Sequence, residues 1–207
     1  MKALLGPVGS ALALLLAGSL VAAGAMDARG TLFPTARLET GRLLVARPGM
    51  LDPNFAGTVV LLFSYGEAGA AGVIVNRSTR TTLSHALPQV EALAERPEVL
   101  FRGGPVAVDR LIFTFRATAL PEGCLPVLAD VCASGSLEVV SAALDGERPT
   151  IEFKGFAGHA GWAPGQLEWE IEQDRWYVVP GDSRWIFDSS PDELWPELIR
   201  LAESPLA

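Results

Sequence analysis

The sequence predicts an α+β domain built on a mixed sheet, and three observations predict it. Strand-length runs rich in Val, Leu and Phe follow one another closely at 42–46, 58–65 and 71–76, with turn-rich connections between them. Helical-period segments then enter at irregular intervals, so hairpins mix with crossovers and no steady βαβα alternation forms, which argues against a doubly wound parallel sheet. Behind the N-terminal segment about 180 residues remain, a length that makes one domain with a substantial core and needs no second one.

Residues 1–25 stand apart from that domain. Lys2 supplies a positive start, no charge follows from Ala3 to Ala25, and a Leu/Ala-rich stretch runs from Ala11 to Leu16. This is the pattern of a secretory signal, and Ala23-Gly24-Ala25 offers small residues to a signal peptidase, so cleavage is expected after Ala25. The competing reading is an uncleaved anchor, since the apolar segment is long enough for a bilayer core of about 30 Å if Gly6, Pro7 and Gly18 are tolerated. The first reading gives an exported protein, periplasmic or secreted; the second gives one held to the membrane by this segment. Residues 26–40 are polar and irregular and read as a linker, and the folded domain is expected over 41–207.

Within the domain each element follows from local chemistry. Pro48-Gly49-Met50-Leu51-Asp52-Pro53 separates the first two strands, and Gly66-Glu67-Ala68-Gly69 is short enough to close the second and third into a hairpin. Thr82 to Leu87, capped by Thr81 or Thr82, and Gln89 to Glu95 have helical composition. Strand character returns at 99–102 and 111–116, around Gly103-Gly104-Pro105, and again at 128–133. Ser136 caps a helix carrying Leu137, Val140, Ala143 and Leu144 at helical spacing, which Asp145-Gly146 ends. A strand at 151–156 leads into the small-residue stretch 157–161, and an amphipathic helix opens at Pro164, whose missing N–H had no partner in a first turn. Strands are expected at 176–179 and 184–187. The last helix begins at the capping box Ser190-Pro191-Asp192-Glu193, and Pro196 is expected to bend it or delay its start.

The formal charge is −8 for the whole chain and one unit more negative once Lys2 is removed. A surface of that sign repels phosphate backbones, so nucleic acid is a poor partner. Cys124 and Cys132 lie in a Gly/Pro-containing connection, and in an oxidising compartment they read as a disulfide, worth about 2.5 kcal/mol for so short a loop. A redox pair or a metal site is the alternative, each weakened by the lack of C-x-x-C spacing and by a chain with two histidines. No cofactor and no metal is indicated.

Three stretches resemble a known family. Leu43 to Phe55 followed by Thr58-Val59-Val60-Leu61-Leu62 and Gly72-Val73-Ile74-Val75-Asn76-Arg77 is similar to the opening of the YqgE/AlgH family. Gly103-Gly104-Pro105-Val106 with Asp109-Arg110 resembles its central motif, and Gly161-Trp162 with Gly165-Gln166-Leu167-Glu168 and Glu170 its third, so the likeness runs from about Gly41 to Leu201. The resemblance implies an α+β fold whose mixed, strongly curved sheet curls into a small barrel-like part flanked by helices. It implies no mechanism. Ser78 stands where the family usually has proline, and the Cys124/Cys132 segment is a local elaboration.

The candidate ligand-binding residues are drawn from these motifs: Asn76, Arg77, Gly103, Gly104, Pro105, His159, Trp162, Gly165 and Gln166. A glycine-rich turn can present backbone N–H groups to an anion, although the same sequence also serves as a plain tight turn. Were the two glycine-rich segments to converge, they would make the best pocket in the chain. His85 and His159 are the two imidazoles, and His159, beside Gly158, is the group to test as a base, its alternative being a packed residue that holds a loop. No G-x-S-x-G elbow and no H-E-x-x-H helix occurs, and Glu168 and Glu170, two apart on a helix, do not form a carboxylate pair. Trp162, Trp169, Trp176, Trp185 and Trp195 bunch late in the chain, as core packing of the terminal elements or as an exposed aromatic contact surface. The leading reading is a non-enzymatic binding or regulatory domain for a protein partner or small ligand. The alternative is an enzyme, perhaps a hydrolase, with His159 as base and Arg77 or backbone N–H groups polarising the substrate.

Overall fold

The computed structural model describes residues 37–144 and 152–203. The segment 1–25 expected to direct export, most of the expected linker 26–40 and the helix stop expected at Asp145-Gly146 lie outside the described residues. In chain order the elements are β1 (Leu43–Ala46), β2 (Val59–Gly66), β3 (Gly69–Ile74), β4 (Ser78–Thr82), α1 (Leu83–Ala86), β5 (Val99–Arg102), β6 (Val106–Arg116), β7 (Leu125–Pro126), β8 (Val131–Ser134), α2 (Leu137–Leu144), β9 (Glu152–Trp162), α3 (Gln166–Glu172), β10 (Trp176–Val179), α4 (Ser183–Phe187) and α5 (Pro191–Glu203).

The strands join in the order β10-β1-β2-β3-β9-β6-β8-β7, with β4 and β5 attached as a side pair through β5 to β9. Among the described pairs only β5–β9 is parallel; the others are antiparallel. The fold is therefore α+β, as the element order predicts, but the strongly curved, barrel-like sheet is not what forms. Closure requires the first and last strands to pair, and here β10 and β7 are separate ends. The reason lies in β9. One of its edges takes β6, while the other is divided between β5 at Gly155–Ala157 and β3 at Ala160–Trp162, so the sheet branches where a barrel would continue around.

The core follows from strand alternation. Leu43 and Val45 of β1 enter one apolar cluster with Val59, Leu61, Phe101 and Phe156, closed over by Ile186, Leu194 and Leu198 of the last two helices. Leu44 and Ala46 point the other way, to Val60, Leu62, Trp162, Leu167 and Trp176. A strand buried on both faces reads as an unbroken apolar run, and each fully buried Leu there contributes roughly 1.5–3 kcal/mol. A third cluster gathers Leu83, Phe113, Phe115, Phe153 and Val140 around Cys132.

Several local expectations are corrected. The segment expected as a strand at 184–187 is helix α4, because the Asp182 side chain accepts from the Arg184 N–H at 2.9 Å and caps it, which overrides the β propensity of Trp185 and Ile186. Residues 89–95 hold only one 3-10 turn, Glu91–Leu93. The small-residue stretch 157–161 is not a loop but the continuation of β9. Thr82 does cap α1, accepting from the His85 N–H at 3.3 Å, yet 78–82 is also a strand that the sequence reading lacks. Helix α5 starts at Pro191 and runs on through Pro196.

Candidate functional site

The β4–β5 pair sets two arginines against each other. Ser78 lies opposite Phe101 in the register, and the Arg102 N–H donates to the Arg77 carbonyl at 2.8 Å, so Arg77 and Arg102 are the next cross-strand neighbours. Like charges so placed destabilise a sheet. The Arg77 guanidinium is anchored, its Nη2 donating to the carbonyls of Pro53 at 3.2 Å and Ala56 at 3.0 Å on the β1–β2 connection. Burial pulls its pKa down, Arg102 adds to the effect, and Asp52 opposes it. Arg102 is exposed and has no carboxylate partner among the described residues.

Between them opens a cleft of about 480 Å³. Its polar lining is Asn54, Thr79 and the two arginines; its remaining walls are Ile74, Phe101, Gly104, Pro105, Val108 and Ala157. No Asp or Glu lines it. Val108 reaches the cleft because β6 is irregular between Val106 and Leu111, where Ala107 takes φ 48°. A non-glycine residue in that left-handed region costs about 1–2 kcal/mol. Behind the Phe101 wall a third cation is stacked: Lys154 Nζ lies 4.7 Å from the Phe101 ring centre. Burial pushes the Lys154 pKa down to about 8 against the pull of Asp188 and Glu152. Those two carboxylates already hold Arg116.

The structure divides the sequence-derived candidates. Arg77, Gly104 and Pro105 line the cleft. Asn76 braces it from behind, accepting from the Val59 N–H at 2.8 Å and donating to the Gly57 carbonyl at 3.0 Å. Gly103 donates to the Ala157 carbonyl and accepts from the Ile74 N–H, both at 2.8 Å, so its amide serves the sheet and not an anion. At Gly104 a Cβ would stand 2.1 Å from the backbone carbon of His159, and this close crossing of two chain segments explains the glycine. His159 itself sits in β9 opposite Val106 and is not among the cleft's lining residues. The residues that the sequence reading missed are Arg102, Asn54, Thr79, Phe101 and Val108.

The third motif closes on itself elsewhere. Glu170 Oε2 accepts from the indole N–H groups of Trp162 at 3.1 Å and Trp176 at 2.8 Å, while its Oε1 accepts from the Gln166 amide at 3.0 Å. Gln166 Oε1 in turn accepts from the Ala163 N–H at 3.1 Å. Phe55 stacks on Trp162 and meets Trp176 edge-on. Gly165, at φ 76°, turns the chain into α3. Glu168 accepts from the Tyr65 hydroxyl at 2.6 Å, so the two glutamates serve different partners. Trp162, Gly165 and Gln166 therefore belong to a packing node and do not line the cleft with Arg77 and Gly104. Of the tryptophans, Trp162 and Trp176 are core, Trp185 and Trp195 pack partly buried beside it, and Trp169 is exposed under Arg175.

Cys124 and Cys132 are joined in a disulfide that ties the connection before β7 to β8. Among the described residues no group of three His, Cys, Asp or Glu side chains is placed to hold a metal ion.

Comparison with known proteins agrees with the motifs. The AlgH-like family matches residues 43–207. A UPF0301 protein of Streptomyces avermitilis is 37% identical over 179 residues, covering 81% of this chain and 89% of that one. One from Rhizobium meliloti is 35% identical over 171 residues, covering 78% and 85%. Among solved structures, protein DIP2367 from Corynebacterium diphtheriae superposes with a TM-score of 0.70 at 24% identity, covering 81% of this chain and 89% of that one, a likeness of fold alone. The AlgH protein from Pseudomonas aeruginosa superposes with a TM-score of 0.63 at 29% identity, covering 78% and 87%. With matches that span nearly all of the described domain, this chain belongs to the AlgH-like, UPF0301 family.

Proposed function

We propose that this chain is an exported, non-enzymatic binding domain whose ligand site is the cleft between Arg77 and Arg102. The observation that carries the reading is the cross-strand arginine pair, which faces a cavity without a carboxylate in its lining. Two like charges held together at a cost to the fold call for a compensating partner, and clusters of perturbed charge around a concave site are a mark of function. Export is supported by the signal-like pattern of residues 1–25 and by the Cys124–Cys132 disulfide, a bond that persists in oxidising compartments. The enzymatic alternative is weaker because His159, its base, lies outside the cleft lining.

The test is native mass spectrometry of the protein purified from its own cell envelope, set beside the denatured mass. The expected result is a chain cleaved after Ala25, two protons lighter for the disulfide, with a reproducible excess mass in the native spectrum that Arg102→Gln removes. An uncleaved chain would overturn the signal-peptide reading, and a native mass that never exceeds the denatured one would count against a retained ligand.

A further inference from the structure

We propose that the cleft takes a small organic anion, a carboxylate or phosphate monoester attached to an apolar body. This rests on the cleft being the binding site, and it adds the chemistry of what binds. The polar end of the ligand is set by charge. Arg77 and Arg102 are adjacent across the strand pair, and neither has a carboxylate partner in the cleft lining. With one Arg77 nitrogen committed to the carbonyls of Pro53 and Ala56, the guanidinium is fixed in place while its other donors stay unspent. The planar guanidinium fork pairs with two oxygens of a carboxylate or a phosphate, and charge-assisted hydrogen bonds of this kind are about twice as strong as neutral ones. Thr79 and Asn54 supply neutral polar contacts beside them.

The apolar end is set by the rest of the lining. Ile74, Phe101, Pro105 and Val108 offer no hydrogen-bonding side chain, so a bare inorganic anion would leave most of the cavity unfilled. Lys154, 4.7 Å from the Phe101 ring, stands outside the lining beside Glu152, Asp188 and Arg116, so the charge that faces the ligand is that of the two arginines. A cavity of about 480 Å³ falls within the range that accommodates small organic ligands. A cation would meet two arginines, and a neutral molecule would leave them uncompensated.

The experiment is titration of the isotopically labelled, disulfide-bonded protein with phenyl phosphate, benzoate, inorganic phosphate and benzyl alcohol, followed by backbone amide shifts. Phenyl phosphate or benzoate is expected to shift Arg102, Gly104 and Ala157, with inorganic phosphate and benzyl alcohol at least about tenfold weaker, and Arg102→Gln is expected to weaken the organic anion about tenfold or more. Arg102 is the first choice because its exposed side chain holds no other part of the fold, whereas Arg77 also anchors the β1–β2 connection. The preference between phenyl phosphate and benzoate identifies the head group. Benzyl alcohol binding at these residues as well as the anions, or an unchanged affinity in Arg102→Gln, would overturn the anion while leaving the cleft as a site. Inorganic phosphate binding as tightly as phenyl phosphate would overturn the apolar body. Shifts confined to other parts of the sheet would overturn the site and the ligand together.

Discussion

Two glycine-rich motifs look alike in the sequence and differ in physical state. Around Trp162 and Gln166 the polar side chains find their partners inside the protein: one carboxylate, Glu170, satisfies two indoles and an amide, and Phe55 packs against both indole rings. Around Arg77 and Gly104 the chain does the opposite. It sets two cations against each other, ties Arg77 only to backbone carbonyls, leaves Arg102 exposed, and brings no carboxylate into the lining beside them. Composition does not separate the two cases; the destination of the hydrogen bonds does, since a carboxylate answers the donors of the node whereas none enters the lining of the cleft.

The contrast predicts separable effects. The largest is on the closed node: Glu170→Ala strips the acceptor from two largely buried indole N–H groups and should lower stability by about 3 kcal/mol in urea unfolding, with affinity for phenyl phosphate unchanged wherever the protein is folded. Loss of that affinity would mean that the node and the cleft are one unit. Next comes Lys154. Its folded pKa of about 8 lies below that of an unfolded lysine, so the unfolded chain holds the extra proton across the interval. The penalty is full below pH 8 and fades as pH rises toward about 10.5. Lys154→Met should therefore stabilise the protein at pH 7 by roughly 2 kcal/mol, discounted for solvent access and for the lost Phe101 contact, and the gain should shrink across that window. Because Lys154 lies outside the cleft lining beside Glu152 and Asp188, the same substitution should change the affinity for an organic anion by less than about threefold. Smallest in stability is Arg102→Gln, expected within about 0.5 kcal/mol of the parent while carrying the main loss of ligand affinity. A marked destabilisation would reassign Arg102 to the fold.

Much of the fold was legible because its signals are local. The β2–β3 hairpin follows from Gly66-Glu67-Ala68-Gly69, and β1 from an apolar run that needs both faces covered. The sheet's branching was not legible, since it depends on three strands sharing β9, and the sequence reading ends that strand at Phe156, before the small-residue stretch 157–161 that pairs with β3. Helix α4 was misread for the same reason that short elements often are: one Asp182 cap outweighs the β-favouring run Trp185-Ile186-Phe187. At the site, Arg77 and Gly104-Pro105 were visible through their motifs. Arg102 was not, because its meaning comes only from standing opposite Arg77, and the strand that creates the opposition, β4, begins at Ser78 in a stretch to which the sequence reading gives no strand.

The most direct test is a crystal structure of the disulfide-bonded protein grown with phenyl phosphate. The phosphate should lie between the guanidinium groups of Arg77 and Arg102, with the ring against Phe101 and Val108. Phenyl phosphate bound elsewhere on the sheet, with the arginine cleft left to solvent, would contradict the assignment of the site.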